Sequence, residues 1–583
     1  METIAEQEIQ EIPLTSPFFR AKVARFLEDN GLRPEVLVSY YTIQSPSGEI
    51  LAGAGLDGDI IKCVAVSSAL RSEGLLTPLL SHVISEAAAK GILNLKVFTK
   101  PEYRAIFESL GFKLLASAPL AILMENGRGL EEYCSYLRKH QAPGVIIMNA
   151  NPFTLGHRYL ISQALNKSKN LAIIPVREDL SSFPYSERFE MIRRGCEGLA
   201  SVVEGSAYQI SSATFPTYFL KDLSDASETQ MRLDIDLFGR HIAPALGASI
   251  RFVGAEPSDP LTERYNQLMK ELLPRYKVMV VELPRKTDHG KPVSAARVRE
   301  ALEGGDFESA AALTPASTHP YLLAALAERA LHLELDTPLK PGLVGPDSNG
   351  AHSDMDYAMM LRSIRALRPF WARMAMAPDA DTLRGLGIEA EEAMLAATGG
   401  VNTHRGAIFA LGLALNARAD SSRISALAEQ ICAGNRSLGA RQMALDGYKP
   451  LFEDWLPYYR SLDQDEYRIQ KTLIRIMSTL DDTCIIHRVG YERAQQVKAE
   501  AAKIADQLGN DAKPDTDNGA KPDTGNDSMP DTGNDAKPGS INSVMPDAIG
   551  HLCAQYAAEG ISPGGAADML ALTIFINSIL KTN

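Results

Sequence analysis

A chain of 583 residues with a net charge of −13 is long enough for three or four domains, and its acidity argues against general nucleic-acid binding, which needs a basic surface. No apolar stretch approaches the ~20 residues that span a bilayer, and the acidic residues 1–11 are unlike a signal peptide. The six cysteines include no Cys-x-x-Cys pair, which predicts a reducing cytoplasm and no zinc site. We therefore expect a cytoplasmic protein with neither nucleic-acid nor membrane partners.

The first segment, residues 1–130, has the pattern of a small α+β domain. Short strand-like runs alternate there with helical stretches such as Leu75–Ala89. The strand-like runs are residues 36–43, 62–66 and 94–98.

The turn between the second of these strands and the following helix suits phosphate groups. Residues 64–76 read Val-Ala-Val-Ser-Ser-Ala-Leu-Arg-Ser-Glu-Gly-Leu-Leu, and backbone N–H groups at a strand-to-helix turn bind phosphates. This turn resembles the pyrophosphate-binding turn of GNAT acetyltransferases, and Leu-Gly-Phe at 110–112 matches a later landmark of that fold. The resemblance implies a GNAT-like domain in which Arg71 and Gly74 contact a CoA-like arm. Leu76, however, replaces a small residue of the family and would crowd a pantetheine-bearing cofactor.

The second segment, residues 141–316, alternates strands and helices more regularly. A helical period over 186–199 lies between two strand candidates, with Ser186 as its predicted N-cap. Strands that alternate with helices predict a parallel, doubly wound (Rossmann-like) α/β domain, whose ligands lie at the carboxyl ends of the strands. The strand candidates are residues 145–148, 171–176, 249–253 and 277–283.

The motif that follows the first of these strands predicts nucleotide chemistry. Residues 149–157 read Asn-Ala-Asn-Pro-Phe-Thr-Leu-Gly-His. The first N–H groups of the helix that this motif opens are unpaired and lie at the positive end of its dipole, so phosphate oxygens bind well there. Gly156 allows the backbone to approach the phosphates without a Cβ. His157 can then donate to the charge that develops on the α-phosphate as pyrophosphate leaves.

A second motif farther along the segment has the same character. Ser294 is a natural N-cap of another helix, and Arg297 and Arg299 bring cations to the same strand-end face. Arginines near a helix N-terminus oppose its dipole, so they need a compensating anion, which a triphosphate would supply.

These two motifs resemble those of the nucleotidylyltransferase superfamily and, more closely, of the citrate lyase ligase family, which residues 183–188 also fit. The resemblance covers residues 1–316 and implies that acetate attacks the α-phosphate of ATP, giving acetyl-adenylate and pyrophosphate. The acetyl group then passes to the prosthetic-group thiol of the citrate lyase acyl-carrier subunit. The family implies Thr154 and His157 as catalytic groups on the phosphates, and a bridging Mg²⁺ without a certain protein ligand. The ATP- and phosphate-binding residues assigned on this basis are Asn149, Gly156, Ser294 and Arg297, the last two at the β/γ end.

From residue 320 to 583 strand signals vanish, and alanine- and leucine-rich helical periods predict an all-α domain. Residues 510–546 interrupt it with a proline at every eighth position among Asp, Asn, Gly and Lys. Because that segment has almost no apolar residues, it cannot offset its ordering entropy. We predict a disordered low-complexity insertion without a role in activity.

Four polar clusters lie in the all-α domain, the first, second and fourth near a helix start and the third within a predicted helical stretch. Ser353-x-x-Asp356 has the form of a capping box, but capping does not explain the nearby His352 and Lys340. In the second cluster, a Gly-rich backbone beside Arg405 suits a polyphosphate. The clusters are residues 337–356, 398–406, 481–488 and 562–568.

The third cluster carries Asp481 and Asp482 within a predicted helical stretch. Adjacent helical residues point ~100° apart, so only one of the two carboxylates faces the site. A buried carboxylate is costly without a partner, so we expect a metal ion or another cation beside it.

Together the four clusters resemble the triphosphoribosyl-dephospho-CoA synthase family, over residues 320–508 and 546–583. The resemblance implies that the ribose 2′-hydroxyl of dephospho-CoA attacks C1 of the ATP ribose and that adenine is released. An oxocarbenium-like transition state would need nearby carboxylates, and the triphosphate would need Mg²⁺. The family implies Asp354 and Asp356 as catalytic metal ligands and Asp482 as the general base. The implied phosphate-binding residues are Lys340, Gly399, Gly400, His404 and Arg405.

The two resemblances predict a bifunctional enzyme that serves the citrate lyase acyl-carrier subunit, with ATP and Mg²⁺ as cofactors and acetate and dephospho-CoA as substrates. Two alternatives stay open. One is a cofactor-biosynthetic adenylyltransferase with a phosphate acceptor, and the other is a carrier-binding scaffold with only one live site. For the front domain, CoA binding, acetyl transfer and docking of the carrier's CoA-like arm are all open.

Overall fold

The computed structural model describes residues 8–71, 73–177, 181–210, 215–220, 224–256, 259–432, 439–510 and 544–580. Contacts divide the chain into two compact units, residues 1–295 and 296–583. Except for its end residues, the predicted insertion over 510–546 lies outside the described ranges. The bounds of the three predicted domains stay a prediction.

The N-terminal part of the first unit has the predicted α+β character. Its elements are β1 (Ile9–Glu11), α1 (Pro17–Asp29), β2 (Ser39–Gln44), β3 (Ile50–Asp57), β4 (Ile60–Val66), α2 (Leu76–Ala89), β5 (Leu95–Thr99), α3 (Arg104–Ser109), β6 (Lys113–Ser117), β7 (Ile122–Asn126) and α4 (Gly129–Leu137). Within the described residues, β1 to β7 form one sheet in the order β1-β2-β3-β4-β5-β7-β6, and β4 and β5 pair in parallel. Helix α2 connects these two strands and buries Leu79, Leu80 and Val83 in a core shared with the sheet, because residues three and four apart share a helix face.

The rest of the first unit is the predicted parallel α/β sheet. Its elements are β8 (Gly144–Met148), α5 (Leu155–Leu165), β9 (Leu171–Pro175), α6 (Tyr185–Gly195), β10 (Ser201–Val202), α7 (Ser224–Leu237), α8 (Ala243–Leu246), β11 (Ile250–Gly254), α9 (Pro260–Leu272), β12 (Met279–Leu283), β13 (Thr287–Asp288) and β14 (Lys291–Pro292). The parallel strands lie in the order β10-β9-β8-β11-β12. After β8, the chain adds β9 and β10 on one side of this strand and then β11 and β12 on the other side. The strand order therefore reverses between β8 and β11, and doubly wound sheets bind ligands at such a switch point.

Helix α6 corrects one expectation from the sequence. It begins at Tyr185, directly after Pro184, and no side chain caps it, so Ser186 is not its N-cap. Pro184 supplies the extended residue before the helix with a φ that its ring already fixes. The helix also ends at Gly195, short of the predicted residue 199.

The second unit confirms the predicted helical region, since its described residues hold no strand, only an isolated bridge between Gly345 and Ser348. Helix α23 is central: α12, α15 and α19 pack against it, and all its residues over 569–576 are buried. No helix in the described ranges combines the length and apolarity that crossing a bilayer requires. The helices are α10 (Ala295–Glu303), which starts at the unit boundary, α11 (Phe307–Ala312), α12 (His319–Asp336), α13 (Tyr357–Ala375), α14 (Ala380–Thr398), α15 (Arg405–Ala417), α16 (Ser421–Cys432), α17 (Ala440–Leu445), α18 (Leu456–Ser461), α19 (Arg468–Thr479), α20 (Thr483–Val489), α21 (Tyr491–Asn510), α22 (Val544–Glu559) and α23 (Gly564–Ile579).

Candidate active sites

The turn after β8 places Thr154 and His157 at the start of α5. The helix begins at Leu155 with Thr154 as its N-cap, and two reciprocal hydrogen bonds close the turn. The Thr154 N–H donates to His157 Nδ1 (3.0 Å), and the His157 N–H donates to Thr154 Oγ1 (3.3 Å). This is a capping box in which an imidazole takes the place that Glu or Gln usually fills. The structure therefore brings the two predicted catalytic residues together at the end of the central strand.

The imidazole of His157 is a neutral hydrogen-bond donor in this environment. Because Nδ1 accepts the Thr154 N–H, the hydrogen of the neutral ring is on Nε2. Burial, and then the Arg285 cation, lower the pKa of His157 to about 4, so the ring is uncharged at neutral pH. The ring stacks on Phe153 with centroids 5.8 Å apart. Packing thus fixes one N–H group that can be directed at a phosphate oxygen.

Arg188, to which no sequence pattern assigns a role, holds this turn in place. Its side chain is fully buried, and Nη1 donates to Asn149 O (2.8 Å), Asn149 Oδ1 (2.7 Å) and Val176 O (2.9 Å). Nε donates to Phe183 O (3.0 Å). The guanidinium therefore joins the ends of β8 and β9 to the start of α6. The predicted site residue Asn149 is tied into this brace through its carboxamide oxygen.

Gly156 lies in the first turn of α5, against the second predicted motif. A Cβ at this position would lie 2.9 Å from the carbonyl oxygen of Val293 and 3.3 Å from Thr154 Oγ1. Glycine is therefore required here for the close packing of the two motifs. This requirement is separate from the predicted approach of phosphate groups to the backbone. Helix α10 begins directly after Ser294, as predicted.

Two charged residues after β11 and β12 complete this edge of the sheet. Arg285 Nη1 pairs with Glu256 Oε2 at 2.5 Å, and burial raises the pKa of the Glu256 carboxyl despite this cation. The signal that could have pointed to Arg285 is a basic residue just after a predicted strand, at the edge where such sheets bind ligands. Arg297 and Arg299 follow on α10, and their contact with phosphates stays a prediction.

The turn of the front domain has the predicted position between β4 and α2. Gly74 has φ +71°, and a Cβ there would meet nothing within 4 Å, so glycine serves the left-handed backbone of the turn. Arg71 is exposed, and Leu76 is half-buried at the first position of α2. A contact of Arg71 and Gly74 with a CoA-like arm stays a prediction.

In the second unit, His352 joins three of the four polar clusters. Its Nε2 lies 2.8 Å from Ser562 Oγ, and its Nδ1 lies 3.1 Å from Arg488 Nη2. Burial, followed by the Arg488 charge, lowers the pKa of His352. The fold thus gathers segments that are far apart in the sequence, as the resemblance to one enzyme family requires.

Asp356 corrects the expected capping box. Helix α13 begins at Tyr357, so its N-cap is Asp356, which accepts the Met359 N–H at 2.7 Å. Ser353 lies three residues before the cap position and does not cap this helix, because the extended residue that directly precedes the helix is Asp356. Asp354 is largely exposed, and its Oδ1 lies 3.6 Å from Nδ1 of His352. Among the residues described, no group of three or more His, Cys, Asp or Glu side chains is arranged to hold a metal ion, and the assignment of Asp354 and Asp356 to a metal stays a prediction.

Asp481 and Asp482 lie between α19 and α20, not inside a helix as expected. Asp482 caps α20 by accepting the Cys484 N–H (2.8 Å), and it also accepts the Ala566 N–H of α23 (2.9 Å). These donors satisfy the buried carboxylate, so the expected metal ion or cation is not required. Burial nevertheless raises the pKa of Asp482. Asp481 instead pairs with Lys498 Nζ at 2.8 Å and is half exposed. Both residues are part of the wall of the cavity described below, not only one of them as expected.

Lys340 and His404 are interior residues. Lys340 Nζ forms a buried ion pair with Glu334 Oε1 at 2.6 Å. His404 Nδ1 lies 2.7 Å from Ser363 Oγ, and burial, then the Lys340 charge, lower the pKa of His404 to about 4. His404 Nε2 is buried and has no hydrogen-bond partner in the described part of the chain. Contact of either residue with a phosphate stays a prediction.

The glycines of the second cluster follow a helix end. Gly399 is the C-cap of α14 with φ +69°, and Gly400 has φ +91°, conformations that side chains with a Cβ rarely adopt. Helix α15 then begins at Arg405, whose guanidinium pairs with Glu391. The backbone geometry alone therefore accounts for both glycines.

A cavity of about 590 Å³ lies between these helices, a volume typical of small-molecule sites. The wall holds three arginines and four carboxylates, counting Glu391 and Asp481, and five of these residues have charges that suit nucleotide chemistry. They are Arg384, Arg405, Arg441, Asp482 and Asp568. Sequence patterns missed Arg384, Arg441 and Asp568 as site residues, although Asp568 is the only carboxylate of the fourth cluster.

Both units have the features of nucleotide-using enzymes: a helix N-terminus at the switch of a parallel sheet in one, and a cavity with arginines and carboxylates in the other. The profile of the citrate lyase ligase C-terminal domain matches residues 143–322. That of ATP:dephospho-CoA triphosphoribosyl transferase matches residues 320–436 and 425–583. The chain belongs to the citrate lyase ligase family in its first part and to the triphosphoribosyl-dephospho-CoA synthase family in its second.

Curated relatives match each part over most of their own length. A citrate (pro-3S)-lyase ligase of Haemophilus influenzae is 40% identical over 314 residues, which cover 52% of this chain and 94% of the relative. That of Escherichia coli is 39% identical over 315 residues, covering 52% and 90%. A 2-(5″-triphosphoribosyl)-3′-dephosphocoenzyme-A synthase of Klebsiella pneumoniae is 31% identical over 276 residues, covering 41% and 88%. The two family predictions made from the motifs are thereby confirmed.

Proposed function

We propose that the chain is a bifunctional enzyme of citrate lyase maturation. One half acetylates the prosthetic-group thiol of the citrate lyase acyl-carrier subunit, using acetate and ATP. The other half makes 2′-(5″-triphosphoribosyl)-3′-dephospho-CoA from ATP and dephospho-CoA and releases adenine. The main support is that the chain spans 94% of a relative named as the ligase and 88% of one named as the synthase.

In the ligase half, the turn before α5 positions ATP for attack by acetate. An acetate oxygen attacks the α-phosphorus, and pyrophosphate leaves as acetyl-adenylate forms. His157 Nε2–H donates to an α-phosphate oxygen as charge develops there, and Thr154 holds the ring in the required orientation. Asn149 and Gly156 contribute to the phosphate-binding turn. The carrier thiolate then attacks the carbonyl carbon of the acetyl group, and AMP leaves. In phosphoryl chemistry of this kind, positioning and electrostatic stabilisation provide most of the rate acceleration.

The β- and γ-phosphates in this half are assigned to Ser294 and Arg297. The first turn of α5 lies directly against the residue before Ser294, which supports the assignment. A serine before a helix start and an arginine in its first turn together provide a hydroxyl and a bidentate cation for phosphate oxygens.

In the synthase half, the proposed phosphate contacts are made around the start of α15. Arg405 is part of the cavity wall, and its guanidinium can exchange the Glu391 carboxylate for phosphate oxygens. Asp482 accepts the proton of the attacking 2′-hydroxyl. We assign the remaining phosphate contacts to Lys340, Gly399, Gly400 and His404.

Mg²⁺ is the ion that we propose with the triphosphate of this half. Asp354 and Asp356 offer the carboxylate oxygens that Mg²⁺ prefers. Asp354 is exposed, and Asp356 retains a second carboxylate oxygen besides the one bonded to its helix. When bound, the ion would neutralise phosphate charge.

The finer fold assignments belong to the same proposal. The front domain is GNAT-like and docks the CoA-like arm of the carrier through Arg71 and Gly74, and the parallel sheet is a nucleotidylyltransferase domain. We also place the enzyme in the cytoplasm. Six free cysteines support this location, because disulfides are rare in a reducing compartment.

Two assays on the purified full chain test the proposed function. We expect exchange of labelled pyrophosphate into ATP that depends on acetate, and release of adenine from ATP that depends on dephospho-CoA. Exchange that depends on a phosphate-bearing acceptor instead of acetate would favour an adenylyltransferase. A chain that releases no adenine would have only one live site.

Gly156→Ala should lower the acetate-dependent exchange by about ten-fold or more, because small displacements at a reacting centre have large rate effects. The added Cβ would lie 2.9 Å from the Val293 carbonyl oxygen and would push the two motifs apart. Exchange rates over a series of ATP concentrations measure the effect. Gly385→Ala in α14 is the matched control, since a Cβ there meets nothing within 4 Å; it should leave exchange unchanged. A Gly156→Ala enzyme with the wild-type rate would show that the close approach is dispensable.

A further inference from the structure

Asp568 is a partly exposed carboxyl group of the second unit to which no role has been assigned so far. It lies in the cavity wall together with Asp482. It accepts the Ala407 N–H in the first turn of α15, and a Cβ at Gly406 would lie only 1.9 Å from Asp568 Oδ2. Asp482 accepts the Ala566 N–H at the start of α23, the helix that carries Asp568. Two helix N-termini thus hold two carboxyl groups on one wall of the cavity.

We propose that Asp482 and Asp568 are the acid–base pair of the synthase reaction, in which Asp568 donates a proton to the departing adenine while Asp482 accepts the proton of the attacking 2′-hydroxyl. The proposal rests on the proposed function of the second unit. It adds a second catalytic residue and divides the proton transfers between the two carboxyl groups.

The surroundings explain why Asp568 holds the proton. Burial raises the pKa of Asp568 well above its usual value, and the carboxylates of Asp482 and Glu334 raise it further. Cys484 and Tyr448 also face Asp568, and neither brings a positive charge. Asp482 is buried as well, but several backbone N–H groups donate to it and favour its charged form. Since two adjacent carboxyl groups do not ionise together, the pair keeps one proton, mainly on Asp568.

Two buried polar atoms belong to residues close to Asp568 or at the start of α15, the helix whose Ala407 N–H donates to Asp568. They are the fully buried Tyr448 hydroxyl, whose pKa Asp568 helps to raise, and Nε2 of His404, the N-cap residue of α15. Neither atom has a hydrogen-bond partner among the residues that the structure describes, and buried polar groups are almost always paired. Tyr448 and His404 are not part of the cavity wall, but Arg384 and Arg441 are, and they add cations that suit a triphosphate.

The proposed step conserves atoms and charge. The 2′-oxygen forms a bond to C1 of the ATP ribose while the bond from C1 to adenine N9 breaks. The hydroxyl proton moves to the Asp482 carboxylate, and the Asp568 proton moves to a ring nitrogen of adenine, which leaves as a neutral base. Proton transfer from Asp482 to Asp568 restores the resting pair. Glycosidases divide proton transfers between two carboxyl groups in the same manner.

A donor whose base leaves without protonation tests this division. ATP methylated at purine N7 carries a positive charge on the base, so its base departs as a neutral molecule without an acid. With dephospho-CoA as acceptor, Asp568→Asn should release adenine from ATP about 100-fold more slowly than the wild type, but should release the methylated base at close to the wild-type rate. Asp482→Asn should slow both reactions, because the hydroxyl still needs a base.

The pH dependence of adenine release gives a second readout, which decides the question if the wild type does not accept the methylated donor. Wild-type kcat should fall on the alkaline side as Asp568 loses its proton, and Asp568→Asn should lack this decline. Asp381→Asn is the charge-matched control, because Asp381 is exposed in α14 and outside the cavity wall. Its rates and pH profile should equal those of the wild type.

Asparagine can still accept the Ala407 N–H, so we expect Asp568→Asn to fold, and its thermal unfolding checks this. If it does not fold, Gly406→Ala replaces it, because the added Cβ displaces the Asp568 carboxyl group without changing its charge. Adenine release from ATP within ten-fold of the wild type, or equal losses with both donors, would overturn the acid role. A wild type that releases no adenine at all would instead refute the proposed function.

Discussion

His157→Ala is expected to lose acetate-dependent pyrophosphate exchange by about 10²–10³-fold. The neutral imidazole directs Nε2–H at the α-phosphate, where charge develops mainly in the transition state, so the loss should fall on kcat more than on KM. Exchange kinetics at varied ATP and acetate concentrations separate the two. Adenine release by the same variant should equal that of the wild type, because the second activity uses the other unit.

The control for this variant is another histidine of the first unit. The side chain of His289 is 96% exposed, and asparagine tolerates its left-handed backbone, so His289→Asn should keep both activities. Full exchange in His157→Ala would show that the imidazole does not contact the reacting phosphate. Loss of both activities together would show that the two halves depend on each other.

Arg188→Met should lower the free energy of unfolding of the first unit by about 3 kcal/mol or more. Methionine fills much of the same volume but donates to none of the carbonyl oxygens of Asn149, Val176 and Phe183, and each unpaired buried acceptor costs about 1–3 kcal/mol. The turn before α5 would lose its brace, so ligase activity should fall with stability, while adenine release stays unchanged.

Hydrogen exchange in a urea series measures this effect, because it reports β8 and β9 separately from the second unit. The two tryptophans, Trp371 and Trp455, both lie in the second unit, so their fluorescence transition should not move. Arg193→Met on the same helix removes an arginine that is 48% exposed and paired with Glu190, and it should change stability by less than about 0.5 kcal/mol. A similar small change for Arg188→Met would refute the proposed brace.

Local patterns predicted the parallel sheet closely. Each of its four long strands forms within two residues of the expected bounds, because an apolar run flanked by turn residues specifies a buried strand without information from elsewhere in the chain. The position of Thr154 and His157 followed from the same local logic, since the motif lies where a strand ends and a helix begins. What could not be predicted is that Arg188 reaches back to this turn.

Two of the errors concern the choice of a helix cap between neighbouring residues. Ser186 and Ser353 were expected to cap helices, but Pro184 and Asp356 hold those positions. Several residues in each segment can cap, and the packing of the helix, not the local sequence, decides where it begins.

The role of Asp568 depends on a different kind of information. Its neighbours Gly406, Asp482 and Glu334 belong to three other segments, and only the assembled helices bring them together. Composition and periodicity describe one segment at a time, so they could indicate polar clusters but not which carboxyl groups become partners.

The central position of α23 affects how the second unit is made. The chain is translated from its N-terminus, and domains generally fold as they emerge from the ribosome. The strands of the first unit are all available once residue 295 has emerged. Helices α12, α15 and α19, by contrast, pack on a helix that is translated after all three of them. Until then their apolar faces remain exposed, so the nascent second unit should be a client for chaperones while the first is already folded.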